Sequence, residues 1–284
     1  MRLATRRATQ ILTPQRAGFL RAGPWPFTHS LSWSAGCGLG RTYCGRYCYA
    51  QHLPNWVFSR AEGEAWGEAV IVKENAADLL GDELARAGAV GRRSMRIFMS
   101  TVSDPWQPVE RKLRLTRHCL EVFARYPDID LLLLQTRSPT VLDDTERIAA
   151  LPSAWLGMTL ETDRGDLDYG PTAGAIRQRL AAIRTLVAAG VRVQVAVAPC
   201  LPHSGGFADL LLASGAQRFV VDTFSAGDGS KGARTAGSPF ARQAGFDWRD
   251  EGPARRLYEQ LRSAGAEVGW SAAGFAGIPP RRLL

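Results

Sequence analysis

Three cysteines, Cys37, Cys44 and Cys48, fall within twelve residues in the stretch GCGLGRTYCGRYCYA. Thiolates are soft ligands, and three of them in a glycine-punctuated loop can wrap one inorganic cluster. Two chemistries fit such a loop. A closed zinc site wants four ligands, with His52 near enough in sequence to be the fourth. A [4Fe-4S] cluster on three cysteines instead keeps one iron open for a cofactor or substrate. The five cysteines are an odd number in a chain expected to be cytoplasmic, which points to metal and not to disulfides. Cys119 lies mid-helix in RHCLEVF, between Leu115 and Phe123, and reads as core. Cys200 follows the apolar run VRVQVAVAP, where a thiol can give a hydrogen atom to a substrate radical or stay buried and inert. His118 and His29 read as structural histidines.

The elements that must position these residues are legible as an alternation. Compact apolar runs at 95–101, 129–136, 155–161, 191–199 and 217–224 suit buried strands, with shorter ones at 30–36 and near AEVGW. Between them, apolar residues at helical spacing predict helices over 74–88, 109–125, 139–150, 174–189, 206–214 and 252–264. Continuous apolar strands alternating with amphipathic helices mean a parallel sheet with covered faces. About six such units, each with polar residues just past its strand, predict an α/β fold: a full or partial (β/α) barrel with its chemistry at the strands' C-terminal ends. Those ends hold Ser100, Thr101, Ser103 and Asp104; then Gln135, Thr136 and Arg137; then Glu161, Thr162 and Asp163; then His203 and Ser204; then Asp222 and Thr223. Asp104 before Pro105 also serves as a helix-entry signal, and Arg137 serves equally as a cavity residue or an ion-pair partner.

The 284 residues are 45% hydrophobic and 22% charged, enough to bury a full-sized core. No apolar run is long enough for a membrane span or a secretory signal, so a soluble protein away from membranes is expected. The net charge of +8 is concentrated: residues 1–60 carry eight arginines and no acid, and the remainder balances. Residues 1–24 read as a basic N-terminal arm, with an organellar transit peptide as the compositional alternative, and 25–284 as one barrel domain with a C-terminal extension. Such a field attracts polyanions, so DNA or RNA is a partner class. Three thiolates and a carboxylate cofactor would account for part of the same excess.

Taken together, YCYA at 47–50, VKENAADLL at 72–80, STVSDPWQPVERKLRLTR at 100–117, LQTRSPTVLDD at 134–144, GMTLETD at 157–163 and RLAAIRTLVAAGVRVQVAVAPCLP at 179–202 match another series in order and spacing. The chain resembles radical S-adenosylmethionine (SAM) enzymes, in the branch similar to spore photoproduct lyase. It departs from that pattern at the loop itself, with Cys-x6-Cys-x3-Cys where Cys-x3-Cys-x2-Cys is usual and Gly45 at the place of the middle cysteine.

The resemblance implies a [4Fe-4S] cluster on Cys37, Cys44 and Cys48, with SAM on the unique iron and reductive cleavage to methionine and a 5′-deoxyadenosyl radical. By matching position it implies that Tyr47 packs near the adenine and that Lys73 lies near the SAM carboxylate. Ser100, Thr101 and Ser103 would meet the methionine moiety or ribose, with Thr159 and Glu161 at the end of a later strand. It also implies an external electron donor of flavodoxin or ferredoxin type; for the substrate it favours a nucleic acid lesion or nucleotide, with a peptide or small molecule left open. A non-catalytic zinc or iron-sulfur protein that binds nucleic acid is the competing class. The sequence leaves the oligomeric state open.

Overall fold

The structure, a computed structural model, describes residues 1–281. The final three residues of the span expected as the barrel domain lie outside it. In chain order the strands are β1 (Arg2–Arg6), β2 (Leu12–Pro14), β3 (His29–Leu31), β4 (Ser34–Ala35), β5 (Ala69–Lys73), β6 (Arg96–Met99), β7 (Leu131–Thr136), β8 (Ala154–Thr159), β9 (Val193–Val197), β10 (Arg218–Val221) and β11 (Val268–Trp270). Strands β3, β6, β7, β8, β9, β10 and β11 lie side by side in chain order and run parallel, and β2 adds antiparallel to β3. A winding that never reverses is the order of a (β/α) barrel and not of a doubly wound sheet. The expected α/β fold is therefore the observed one, as a mostly parallel eight-stranded sheet.

Side chains alternate across a strand, so each face of the sheet has its own core. Ile97, Met99, Leu132, Leu134, Leu156, Met158, Val195 and Val221 point outward and pack with Leu80, Leu120, Phe123, Ile183, Phe207 and Leu257 of the crossover helices. Phe98, Leu131, Leu133, Trp155, Ala196 and Val220 point inward, where Leu20 and Phe27 from one end of the chain and Phe275, Ala276 and Ile278 from the other fill the floor. Arg96 enters the same floor, paired with Asp130 at 2.5 Å. Above this plug the inner face turns polar, and a cavity opens at the C-terminal ends of the strands.

Two expected helices are divided. The segment over 109–125 breaks into Glu110–Leu113 and Leu115–Ala124 at Arg114, which takes a left-handed φ of 55°. The buried Glu110 carboxylate accepts the Arg117 N–H at 3.2 Å, satisfying a donor in the first turn of the second piece. The segment over 139–150 opens as a 3-10 turn, Pro139–Asp144, before the helix Thr145–Ala149. Residues 1–24, expected as an arm, supply β1 to a small sheet ordered β1-β5-β4 and β2 to the main sheet, and Leu20 enters the inner core. Arg2 pairs with Glu64, and Arg6 donates to Ser59 Oγ at 3.1 Å. No helix among the described residues is long and apolar enough to cross a membrane.

Candidate active site

The cysteine loop leaves β4 and folds as three successive 3-10 turns, Gly38–Arg41, Tyr43–Arg46 and Tyr49–His52. The six residues between Cys37 and Cys44 fit because the turns press backbone to backbone: a Cβ on Gly45 would fall 1.7 Å from the Gly40 carbonyl oxygen. The longer spacing is thus absorbed as a compact turn that leaves all three cysteines on one wall of the cavity. Gln107, fully buried, fastens the loop: its Oε1 accepts the Gly38 N–H at 2.7 Å and its Nε2 donates to Ser34 Oγ at 3.0 Å.

Cys37 and Cys44 are buried, Cys48 is half-buried, and none forms a disulfide. Burial pushes the Cys37 thiol well up and the Cys48 thiol up to about 11. Thiols in that state are poor nucleophiles, whereas a bound metal centre deprotonates them outright. The donor set is all sulfur, which suits iron-sulfur chemistry. Among the described residues no three His, Cys, Asp or Glu side chains converge on a point that would hold a single ion, and His52 does not line the cavity.

The cavity has a volume of about 820 Å³. Its lining includes Tyr47, Lys73, Ser100, Thr101, Ser103, Thr159 and Arg137. Ser100 takes φ 97°, a conformation a serine adopts only when its surroundings enforce it, and its hydroxyl donates to the Ser103 carbonyl. Asp104 clamps this turn to the next strand, accepting from Thr136 Oγ1 at 2.7 Å, from the Arg137 N–H at 2.9 Å and from the Trp106 N–H at 2.8 Å. Gln135 Nε2 donates to Thr159 Oγ1 at 2.8 Å, and its buried Oε1 has no partner. Gly157 makes room for that amide, since a Cβ there would lie 2.0 Å from Oε1. Tyr47 stands between Phe224 and Phe240, at ring distances of 5.5 and 5.2 Å, with its hydroxyl unpartnered.

Glu161 does not line the cavity. It lies fully buried beneath Arg137, accepting from Arg137 Nη1 at 2.9 Å, Arg179 Nη1 at 2.7 Å and the Tyr43 hydroxyl at 3.0 Å. Burial alone would raise this carboxyl, but Arg179 and Arg137 outweigh it and hold the pKa below the usual range. Arg137 is consequently fixed with its charge beside Cys44 and Cys48. Cys200 also stays off the cavity wall, which Ala198 and Pro199 form at that strand end. Its thiol faces the Leu201 carbonyl at 3.7 Å and packs against the helix-side core, with burial pushing it up to about 12.

Sequence reasoning missed Gln107, Ser32 and Gln15, named Asp222 only as a polar strand-end residue, and left Arg137 as either a cavity residue or an ion-pair partner, where it is both. Asp222 lines the cavity with a carboxyl that burial pushes up to about 6. The signal for Gln107 was present inside SDPWQPVER, where it follows the strand-end turn at a fixed distance.

No family model matches the chain. An uncharacterised protein of Methanocaldococcus jannaschii is 29% identical over 166 residues, 58% of each chain. An uncharacterised protein of Mycobacterium tuberculosis is 28% identical over 200 residues, 67% of this chain and 56% of that one. The matched stretch thus spans little more than half the length of these curated relatives. Among solved structures, spore photoproduct lyase complexed with dinucleoside spore photoproduct aligns over 92% of this chain and 66% of its own, at TM-score 0.51 and 17% identity. A mutant of the same lyase, with bound AdoMet and dinucleoside spore photoproduct, aligns over the same shares at TM-score 0.52 and 17% identity. The fold is similar to that of spore photoproduct lyase. At this identity the likeness concerns the fold, and it sets the cysteine loop and the cavity at the strand ends in a known architectural frame.

Proposed function

We propose that this chain is a radical SAM enzyme. Cys37, Cys44 and Cys48 would hold a [4Fe-4S] cluster, and SAM would occupy the cavity beside them. The observation that carries the reading is that three cysteines (two buried, one half-buried), the strained Ser100–Ser103 turn and the pinned guanidinium of Arg137 line one cavity at the C-terminal end of a (β/α)-type sheet. The AdoMet-bound lyase of similar fold supports it.

A cluster and SAM bound together supply one-electron cleavage of the sulfonium, with the electron from an external flavodoxin- or ferredoxin-type donor. The chain's own residues supply placement. Arg137 presents a planar fork suited to the SAM carboxylate, and Glu161 keeps that fork from turning away. Ser100, Thr101, Ser103 and Thr159 offer hydroxyls and carbonyls to the amino acid and ribose. Tyr47, backed by Phe224 and Phe240, offers an apolar wall to the base and keeps water out. Lys73 lines the same cavity, but the charge that acts on Cys44 and Cys48 is that of Arg137, so our reading gives Arg137 the carboxylate role that the resemblance implies for Lys73.

Anaerobic reconstitution with iron and sulfide, followed by SAM and dithionite, should give brown protein and 5′-deoxyadenosine. Cys44→Ala should lose both. Colourless protein carrying one zinc per chain, or brown protein that leaves SAM intact, would overturn the reading.

A further inference from the structure

The cavity extends past the cysteine loop to a second end that the proposed chemistry leaves unused. Thr13 of β2, Gln15 just past that strand, Ser30 of β3, Ser32, and Lys73 at the end of β5 line it. Every one of these side chains carries a hydrogen-bond donor, and none is an acid. Gln15 Nε2 donates to Ser30 Oγ at 2.9 Å, which orients that hydroxyl. Ser32 is 8% exposed, yet its hydroxyl has no partner. A buried hydroxyl left unpaired is unfavourable, so one kept on a cavity wall calls for a partner from outside.

Lys73, half-buried on the same wall, has no acid of its own to pair with among the described residues. The charges that reach it are Arg6, which repels it, and Glu83. Glu83 is already engaged, accepting the backbone N–H groups of Ile11 and Leu12 at 2.8 Å each. Burial and Arg6 hold the ammonium down at about 8, so it is still charged at neutral pH and in need of an anion. The donors differ in kind from the planar fork of Arg137: hydroxyls and a point-charge ammonium suit a tetrahedral oxyanion with several acceptor oxygens, while the Gln15 amide spends both its hydrogens on Thr13 O and Ser30 Oγ and serves to order the wall.

The surroundings favour a polymer. Arg16, next to Gln15, is exposed, and Arg7 keeps 76% of its side chain in solvent. Phe58, one turn beyond the cavity-lining Pro54 and Asn55, is 84% exposed, a position suited to stacking on an unpaired base. We infer that this end of the cavity is a phosphate subsite, in which Lys73 and Ser32 bind a phosphodiester of a single nucleic-acid strand whose neighbouring nucleotide reaches toward the cysteine loop. The placement of that nucleotide rests on the radical SAM reading; the subsite itself does not.

The test uses the anaerobically reconstituted protein, fluorescein-labelled single-stranded DNA and RNA 12-mers, and anisotropy titrations over a range of salt, with SAM affinity measured in parallel. Lys73→Met should weaken 12-mer binding by about 10-fold and lower the salt slope by about 0.7, the value of one phosphate contact on a single strand. Lys73→Arg should restore the slope. Ser32→Ala should weaken binding by about 3-fold with no loss in Tm, because the hydroxyl has no partner to lose. SAM affinity should be unchanged in all three. A preference for the DNA or the RNA 12-mer would support the subsite and name the polymer. Wild-type protein that binds neither strand, affinity indifferent to Lys73→Met, or polyglutamate competing as well as the 12-mer would overturn it, the last in favour of an acidic peptide. If Lys73→Met instead weakens SAM and spares the 12-mer, Lys73 belongs to the cofactor. Wild-type protein that binds the 12-mer but never SAM would defeat the radical SAM reading and leave the subsite standing.

Discussion

Arg137 and Lys73 reach into one cavity from opposite surroundings. Arg137 rests on a fully buried carboxylate that is itself held by Arg179 and Tyr43. Lys73 stands near one repelling cation and one acid already occupied by backbone N–H groups. A cation fixed in advance loses little freedom when its ligand binds and suits a small molecule that must sit in one orientation. A cation left wanting gains most from an anion that arrives with its own charge. On the proposed reading, the contrast would give one cavity two tasks, holding a cofactor beside the thiols and meeting a substrate at Lys73.

The strongest way to break this contrast is to remove the carboxylate beneath Arg137. Glu161→Gln leaves the buried guanidinium of Arg179 and the half-buried one of Arg137 without their counter-charge, and breaking a buried pair in this way costs about 3–5 kcal/mol. Thermal unfolding should show a Tm lower by roughly 6 °C or more, at about 2–4 °C per kcal/mol for a chain of this class. Equal stability would mean that Arg137 is not pinned. Next comes Arg137→Met, which should raise the SAM dissociation constant by about one to two powers of ten through loss of a charge-assisted bond. Iron content is the control, and a loss of iron in step with SAM would assign Arg137 to the loop and not to the cofactor.

Smaller effects sharpen the other side. Affinity for a single-stranded 12-mer should decline as pH rises through about 8, where Lys73 sheds its proton, with the midpoint shifted upward by the bound phosphate. SAM affinity should not follow that curve, because a guanidinium keeps its charge throughout the range. The smallest effect concerns stability. The folded chain holds Lys73 down at about 8 against an ordinary 10.5, so between these values the unfolded chain binds more protons and stability rises with pH. Burying the charged ammonium is therefore unfavourable below about 8 and neutral above 10.5. Lys73→Met should raise Tm modestly at pH 7, and the gain should shrink toward pH 10. A gain that stays constant would show that packing, and not charge, is responsible.

The strands and their order were legible because five apolar runs, from MRIFMST to QRFVVDTF, are too continuous to be anything but buried, and the polar residues after each mark the reactive end. The cysteine loop was legible from residue type alone. Strand β1 was not: RLATR has no apolar alternation, and it is a strand only because β5 offers it an edge. Glu161 was read as a cavity residue because it follows a strand, but its distance from the cavity depends on Arg137 and Arg179 closing over it, a tertiary fact. Ser32 and Gln15 carry no sequence signal; what distinguishes them is a missing partner and a shared wall.

The floor of the inner core sets the order in which this protein can be made. Leu20 and Phe27 pack there with Phe275, Ala276 and Ile278, and the Trp25 N–H donates to the Ala276 carbonyl at 3.0 Å. During synthesis the first of these segments leaves the ribosome some 250 residues before the second, which at about 5–20 residues per second is a wait on the order of ten seconds or longer. Once made, the inward faces of Phe98, Leu133 and Trp155 have only Leu20 and Phe27 beneath them until Phe275, Ala276 and Ile278 follow. The nascent chain is then a sheet with one face covered and the other only partly so, until the segment that carries Phe275, Ala276 and Ile278 arrives.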